Sequence, residues 1–447
     1  MRDSAFLETT ADGRAVSYRA TFDADDADRA RAQFPALVDG EILLDAPSGT
    51  QMPERVSHAI QAAMVTAVSN SGGLYKAAQR GRDSVDLARA AMADLLGADP
   101  RGVVLGPNMT TLTYRISRTC AEMWGPQDNI VVSRLDHDAD VRPWVQAAER
   151  RGVQVRWADI DADTCELPTA QYGDLVDAHT RLVAVCGASN LAGTRPAVRA
   201  IADIAHAANA LVYIDGVALT PHTPIDVDEL GADFYACSSY KFCGPHIGIV
   251  AASPDLLASL PQDKLAPATS EVPANFEWGT PPFELLAGVP ATVDFLANSA
   301  SQVGGAPTRR QAVLAAMAAL ELYEEELADV LRTGLESLSA VTIYGRAEQR
   351  TPLVSFRVDG LSTAEVAGEL GKTGICINHG NQYAYELVQR LGLDLGDGVL
   401  RAGIAPYNTR ADVDALLEQL DRIIGTKEVL NTGRPLDVVQ RRVSDHS

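Results

Sequence analysis

Short apolar runs alternate with amphipathic stretches through the middle of the chain. Runs at 102–106 (GVVLG), 130–135 (IVVSRL), 153–158 (VQVRWA), 181–187 (RLVAVCG), 211–215 (LVYID), 233–238 (DFYACS) and 248–252 (GIVAA) read as buried strands. Between several of them apolar residues recur at helical spacing, over 110–123, 140–151 and 197–209. Strands alternating with helices predict one large α/β domain, built on a mainly parallel seven-stranded sheet covered on both faces. Upstream, residues 55–97 carry a helical pattern broken by the Gly-bearing loop SNSGGLY. Residues 1–40 are polar and acidic and are expected to form an arm with a short helix. The stretch 288–300 reads as a helix closing the large domain, and Gly304, Gly305 and Pro307 mark a break. A long helical segment follows, then strands near 352–357 and 399–404 around two more helices, which predicts a smaller α+β domain. Periodicity fades at about 427, where a loose tail is expected. The expected division is therefore 1–40 arm, 41–300 large domain, 301–426 small domain and 427–447 tail.

Charge narrows the range of partners. With 38 basic and 59 acidic side chains the chain carries a formal charge of −21, which argues against nucleic acid or an anionic membrane as the main partner. No apolar run approaches the roughly 18–20 residues of a membrane span, and MRDSAFLETTADGRAV lacks an apolar signal core. None of the six cysteines forms a CxxC pair, which suggests reduced structural thiols, a cytoplasmic location and no metal site.

Ligands of parallel sheets bind at the carboxyl ends of strands. Asp215 ends one predicted strand, and Ser238, Ser239, Tyr240 and Lys241 follow another. Asp136 and His137 follow a third, and Ser189 and Asn190 a fourth. Asn108, Met109, Thr110 and Thr111 open a helix after a fifth. Together these suit pyridoxal 5′-phosphate, which takes a lysine for a Schiff base and a carboxylate against its pyridine nitrogen. Its phosphate suits donors at a helix N-terminus, and a His137 imidazole could stack on the ring. Small, aromatic and apolar neighbours in SSYKFCGP would bury Lys241 and lower its pKa, favouring imine chemistry. Taken singly, each residue has an ordinary structural reading, such as a helix cap or a solvated charge.

The stretches LLDAPSGTQMPERV, GPNMTTLTYRISR, LDHDADVRPW, ASNLAGT, VYIDGVALTPHTPIDV, CSSYKFCGPHIG, FEWGTPPFELLAGV and RAGIAPYNT, in that order over about 43–409, carry a resemblance. The chain resembles the class V aminotransferase family of fold-type I pyridoxal-phosphate enzymes, in its cysteine desulfurase-like branch. The resemblance implies an aspartate-aminotransferase-like fold and a homodimer with shared active sites. It implies that Lys241 is the Schiff-base lysine and the Cα acid/base, that Asp215 pairs with the pyridine nitrogen, and that His137 stacks on the ring. The Met109 backbone, Thr110, Ser238 and Tyr240 would hold the phosphate, with Thr280 reaching it from the second subunit. Asn190 would lie near the ring oxygen and the substrate carboxylate, and Arg401 would clamp that carboxylate. The other reading of Arg401 is a surface arginine paired with a carboxylate such as Asp412.

Three departures bear on the reaction. Where desulfurases carry a nucleophilic cysteine, CINHGNQYAYEL has Tyr383, which would instead line the substrate site. Cys376 lies seven residues earlier in a strand-like run. Ala218 stands where a Gln or His usually contacts the ring oxygen, and Asp140 where the branch commonly has Asn. Persulfide-forming desulfuration is therefore disfavoured. The expected reaction is β-elimination from an S-substituted cysteine, with natural-product sulfur metabolism as one setting. Transamination or racemisation of an α-amino acid, decarboxylation-coupled oxidation of a cysteine conjugate, and cofactor binding without turnover stay open beside it.

Overall fold

The computed structural model describes residues 5–9, 15–303 and 308–432. All seven anticipated strands form one sheet, in the order Val103–Gly106, Gly248–Ala252, Phe234–Ser238, Leu211–Asp215, Thr180–Cys186, Asn129–Ser133, Gln154–Ala158. The five strands from Phe234–Ser238 to Gln154–Ala158 are mutually parallel, whereas Gly248–Ala252 runs antiparallel to both its neighbours. That reversal follows from chain length. Residues 239–247 are too few for the helical crossover a parallel return needs.

Val, Ile and Ala dominate the central strands because both sheet faces are covered. One face packs against the helices Lys76–Leu96 and Gly288–Ala297, the other against Met109–Ala121 and Arg142–Arg151. The long helix Arg309–Glu336 joins two cores. Val313 to Leu320 pack with the large sheet, and Leu327 to Leu335 with a second sheet. That second sheet is antiparallel, in the order Val341–Tyr344, Leu353–Val358, Val399–Gly403, Asn378–Gly380, and the helix Arg410–Thr432 packs on it.

Several elements depart from the sequence reading. Two strands, Ala5–Thr9 and Ala15–Thr21, precede the expected helix, Ala24–Arg31, and pair with Ser301–Val303 in a three-stranded sheet. The alternation in AVSYRAT is the signal for the second of these strands. The last helix continues to Thr432, beyond the point where periodicity fades. The expected break at Gly304, Gly305 and Pro307 and the end of the tail, 433–447, lie outside the described residues. No helix among the described residues is long and apolar enough to cross a membrane.

Candidate active site

Because the central strands are parallel, their carboxyl ends fall on one edge, and a cavity of about 640 Å³ opens there. Met109, Thr110, His137, Asn190, Asp215 and Ser238 line it, as do Tyr240, Lys241, Tyr383 and Arg401. Thr280 is exposed and is not part of that wall.

Lys241 closes the short turn Ser239–Lys241 that follows its strand. Its Nζ donates to the Pro47 carbonyl and lies 4.8 Å from the centre of the Tyr240 ring. Burial, reinforced by the Arg401 charge, lowers its pKa to about 8 against the pull of Asp45 and Asp215. Asp215 is the buried last residue of its strand and accepts the Val217 N–H at 2.9 Å. Burial raises its pKa to about 7, with Asp136 adding to the effect and Lys241 opposing it. A cation brought against this carboxylate would return it to the charged form.

His137 Nδ1 accepts the Ala139 N–H at 3.0 Å, so the ring proton sits on Nε2. Burial, with the Lys241 charge, lowers the imidazole pKa to about 4, which keeps the ring neutral at pH 7. Asn108 caps the helix Met109–Ala121 by accepting the Thr111 N–H at 2.8 Å. The first N–H groups of a helix have no partner within it. Gly248 permits the close approach of strand and helix start, since a Cβ there would lie 2.2 Å from the Asn108 carbonyl carbon and 2.5 Å from Met109 N.

Arg401 is 2% exposed, which overturns its reading as a surface residue; Asp412 pairs instead with Arg31 at 3.1 Å. Arg401 Nη1 donates to the Asn190 carbonyl and Nη2 to Ser48 Oγ, each at 2.8 Å, and Asp45 Oδ1 lies 3.5 Å from Nη2. Its Nε has no partner, nor has the buried Oδ1 of Asn190. Burial brings the guanidinium pKa down to about 10, and Asp45 opposes that fall.

Asp45, Ser48 and Asn378 form a network that sequence reasoning did not single out. Ser48 Oγ donates to Asp45 Oδ1 at 2.6 Å and accepts from Asn378 Nδ2 at 2.6 Å. Its only signal in the sequence is the stretch LLDAPSGT, in which no residue has an obvious reactive role.

The loop bearing Tyr383 is pinned to the cavity rim. The Asp138 N–H donates to the Tyr383 carbonyl at 2.7 Å, and Asn190 Nδ2 to the Gln382 carbonyl at 2.7 Å. The Tyr383 ring is stacked on His137, 5.5 Å between centroids and 23° between planes. Gln382 and Tyr383 both have left-handed φ, +53° and +58°, a conformation that side-chain-bearing residues rarely adopt and that the pinning holds in place. Among the cysteines only Cys186 touches the cavity, and burial and Asp136 raise its thiol far above the usual range. Cys376 is half-buried in the two-residue strand Ile375–Cys376 and does not line the cavity.

A parallel sheet with a half-buried lysine and a buried carboxylate at its strand ends, flanked by a smaller antiparallel sheet, is the arrangement of fold-type I pyridoxal-phosphate enzymes. The chain belongs to the class V aminotransferase family, whose model matches residues 42–416. The family comprises pyridoxal-phosphate-dependent enzymes, cysteine desulfurases among them. The chain is 34% identical to an uncharacterized protein of Mycobacterium tuberculosis, over 88% of this chain and 98% of that one. It is 30% identical to an aminotransferase-like protein of Gibberella zeae, over 88% and 97%. The crystal structure of the cysteine desulfurase CsdA of Escherichia coli superposes with a TM-score of 0.78 at 28% identity, covering 90% of this chain and 98% of that one.

Proposed function

We propose that this protein binds pyridoxal 5′-phosphate and cleaves the C–S bond of an S-substituted cysteine, releasing a thiol, pyruvate and ammonium. The donor set fits the cofactor. A helix start with Thr110, together with Ser238 and Tyr240, would take the phosphate, and Asn190, also on the cavity wall, has an amide oxygen without a donor. When bound, the cofactor withdraws electrons from the substrate Cα.

The protein's own groups would do the rest. Asp215, buried and lacking a strong cationic partner, would hold the protonated ring nitrogen. Neutral His137 would cover the ring face. Arg401, which lines the cavity and is held by the Asn190 carbonyl and Ser48, would turn its guanidinium to the substrate α-carboxylate. Lys241, with an amine that loses its proton near pH 8, would take the Cα proton. The C–S electron pair would then leave with sulfur, which takes up a proton as the thiol. Water completes pyruvate and ammonium.

The observation that carries this choice over persulfide chemistry is Tyr383. A loop pinned through its backbone carries this aromatic residue at the cavity rim, where it would face the substrate, and the one thiol at the cavity is buried and held neutral. The reading includes a homodimer in which exposed Thr280 completes the other subunit's phosphate site, and a division into large and small domains near residue 300. Holoenzyme incubated with a panel of cysteine S-conjugates should release thiol and pyruvate in equal amounts. A keto acid that retains the side chain, or a racemised amino acid, would instead establish transamination or epimerisation and refute the elimination.

A further inference from the structure

Beneath the cavity, two carboxyl groups are buried side by side. Asp136 and Asp140 are both 0% exposed. Asp136 Oδ1 accepts the Ser133 hydroxyl at 2.7 Å, and Asp140 Oδ1 accepts Trp144 Nε1–H at 3.1 Å. The Oδ2 atom of each has no hydrogen-bond donor. The two side chains lie within hydrogen-bonding range of each other, and the titratable groups around them are Asp215, Cys186, Tyr172 and Tyr213. None of these is a cation. Two ionised carboxylates in such a place would repel each other and leave buried acceptors bare. One proton between them removes the repulsion and supplies the missing donor.

We infer that Asp136 and Asp140 share a single proton, carried by Asp140, and that the pair is a positioning element presenting one negative charge, not two, to Asp215. The side on which the proton sits follows from the donors. The Ser133 hydroxyl and Cys186 stabilise Asp136 as the anion, whereas Asp140 has only the indole N–H. Burial, then the charges of Asp136 and Asp215, hold the Asp140 carboxyl well above the carboxylate range. A second full charge here would push Asp215 toward its neutral form and weaken its hold on a cationic ring nitrogen. That last step rests on the pyridoxal-phosphate reading. The shared proton does not.

Asp140→Asn tests both parts. The amide keeps an acceptor for Trp144 and offers Asp136 a fixed N–H donor. In ligand-free Asp215→Asn protein, where the Asp215 carboxyl with its raised pKa of about 7 cannot contribute, the infrared spectrum at neutral pH should contain the carbonyl stretch of a neutral carboxylic acid. Adding Asp140→Asn should remove one such component, which the difference spectrum isolates from any other buried carboxyl. Its survival in Asp140→Asn would overturn the assignment. If that variant fails to fold, Asp136→Asn should keep the band but shift its frequency, because the Asp140 proton loses its carboxylate acceptor, and an unmoved band would overturn the sharing equally. In the holoenzyme, the wild-type cofactor absorbance should change on the alkaline side as the pair gives up its proton, and this change should be absent in Asp140→Asn. An identical alkaline change in both proteins would refute the link to Asp215. A wild-type protein with the infrared band that takes up no pyridoxal phosphate would overturn the cofactor reading and not the pair.

Discussion

Replacing Arg401 separates substrate binding from cofactor binding. In Arg401→Ala the Asn190 carbonyl and Ser48 Oγ each lose a donor at 2.8 Å, and Asp45 loses its neighbouring cation. Asp45 already has a pKa raised by burial, with Arg401 opposing the rise, so it drifts further toward the neutral form. The substrate carboxylate would lose the guanidinium and with it the proposed charge-assisted contact. Losing one side of a buried charge pair costs about 2–4 kcal/mol, which is roughly 30- to 900-fold in kcat/KM. Arg401→Lys should recover part of this, because an ammonium restores the charge but cannot present two parallel donors. Cofactor absorbance should persist in both variants, since the proposed phosphate donors lie elsewhere in the cavity. One secondary effect is specific. Arg401 lowers the Lys241 pKa, so in Arg401→Ala the amine should titrate above its present value of about 8. The assay is kcat/KM for several α-amino acids, alongside the pH dependence of cofactor uptake. Near-normal kcat/KM in Arg401→Ala would remove Arg401 from the site and with it the claim that the substrate is an α-amino acid.

Three further outcomes are expected. Only the neutral Lys241 amine attacks an aldehyde, so the rate of pyridoxal-phosphate uptake by ligand-free protein should rise about tenfold per pH unit below its midpoint and level off above about 8; a midpoint near the usual 10.5 would refute the buried-amine account. Gly248→Ala would drive a Cβ against the Asn108–Met109 backbone, costing about 1–3 kcal/mol and weakening cofactor affinity; unchanged Tm and affinity would show that the helix start is not held as described. Cys376→Ala should cost about 1 kcal/mol of stability and leave turnover intact, and a persulfide on Cys376 coupled to loss of activity in the variant would restore desulfuration.

What the chain discloses before folding depends on burial. Strands such as 181–187 and 248–252 are continuous apolar runs because they are covered on both faces, and they stand out. Asn378–Gly380 and the two-residue pairing of Ile42–Leu43 with Ile375–Cys376 have no periodicity to detect, because backbone hydrogen bonds from distant segments define them. The chemistry follows the same divide. Lys241, Asp215 and His137 sit at the ends of legible strands. Asp45 and Ser48 gain their place only when residues far along the chain reach them. The left-handed φ of Gln382 and Tyr383 is invisible because neither is a glycine. Asp140 is visible only as an unusual residue, and its meaning comes from the Oδ2 atoms that folding leaves without donors.

The segment Ala46–Ser48 also bears on how the protein is made. Pro47 touches Lys241 across 194 residues of sequence, and Ser48 touches Arg401 across 353. The Gly403 N–H donates to the Leu44 carbonyl at 2.8 Å, fastening this early segment to one of the last strands. A nascent chain on the ribosome therefore exposes Lys241 and Asp215 well before Arg401, the proposed carboxylate clamp, has been made. During that interval Lys241 lacks both the complete Pro47–Arg401 surroundings and the Arg401 charge that lower its pKa, so the site is complete only when nearly the whole chain has been released.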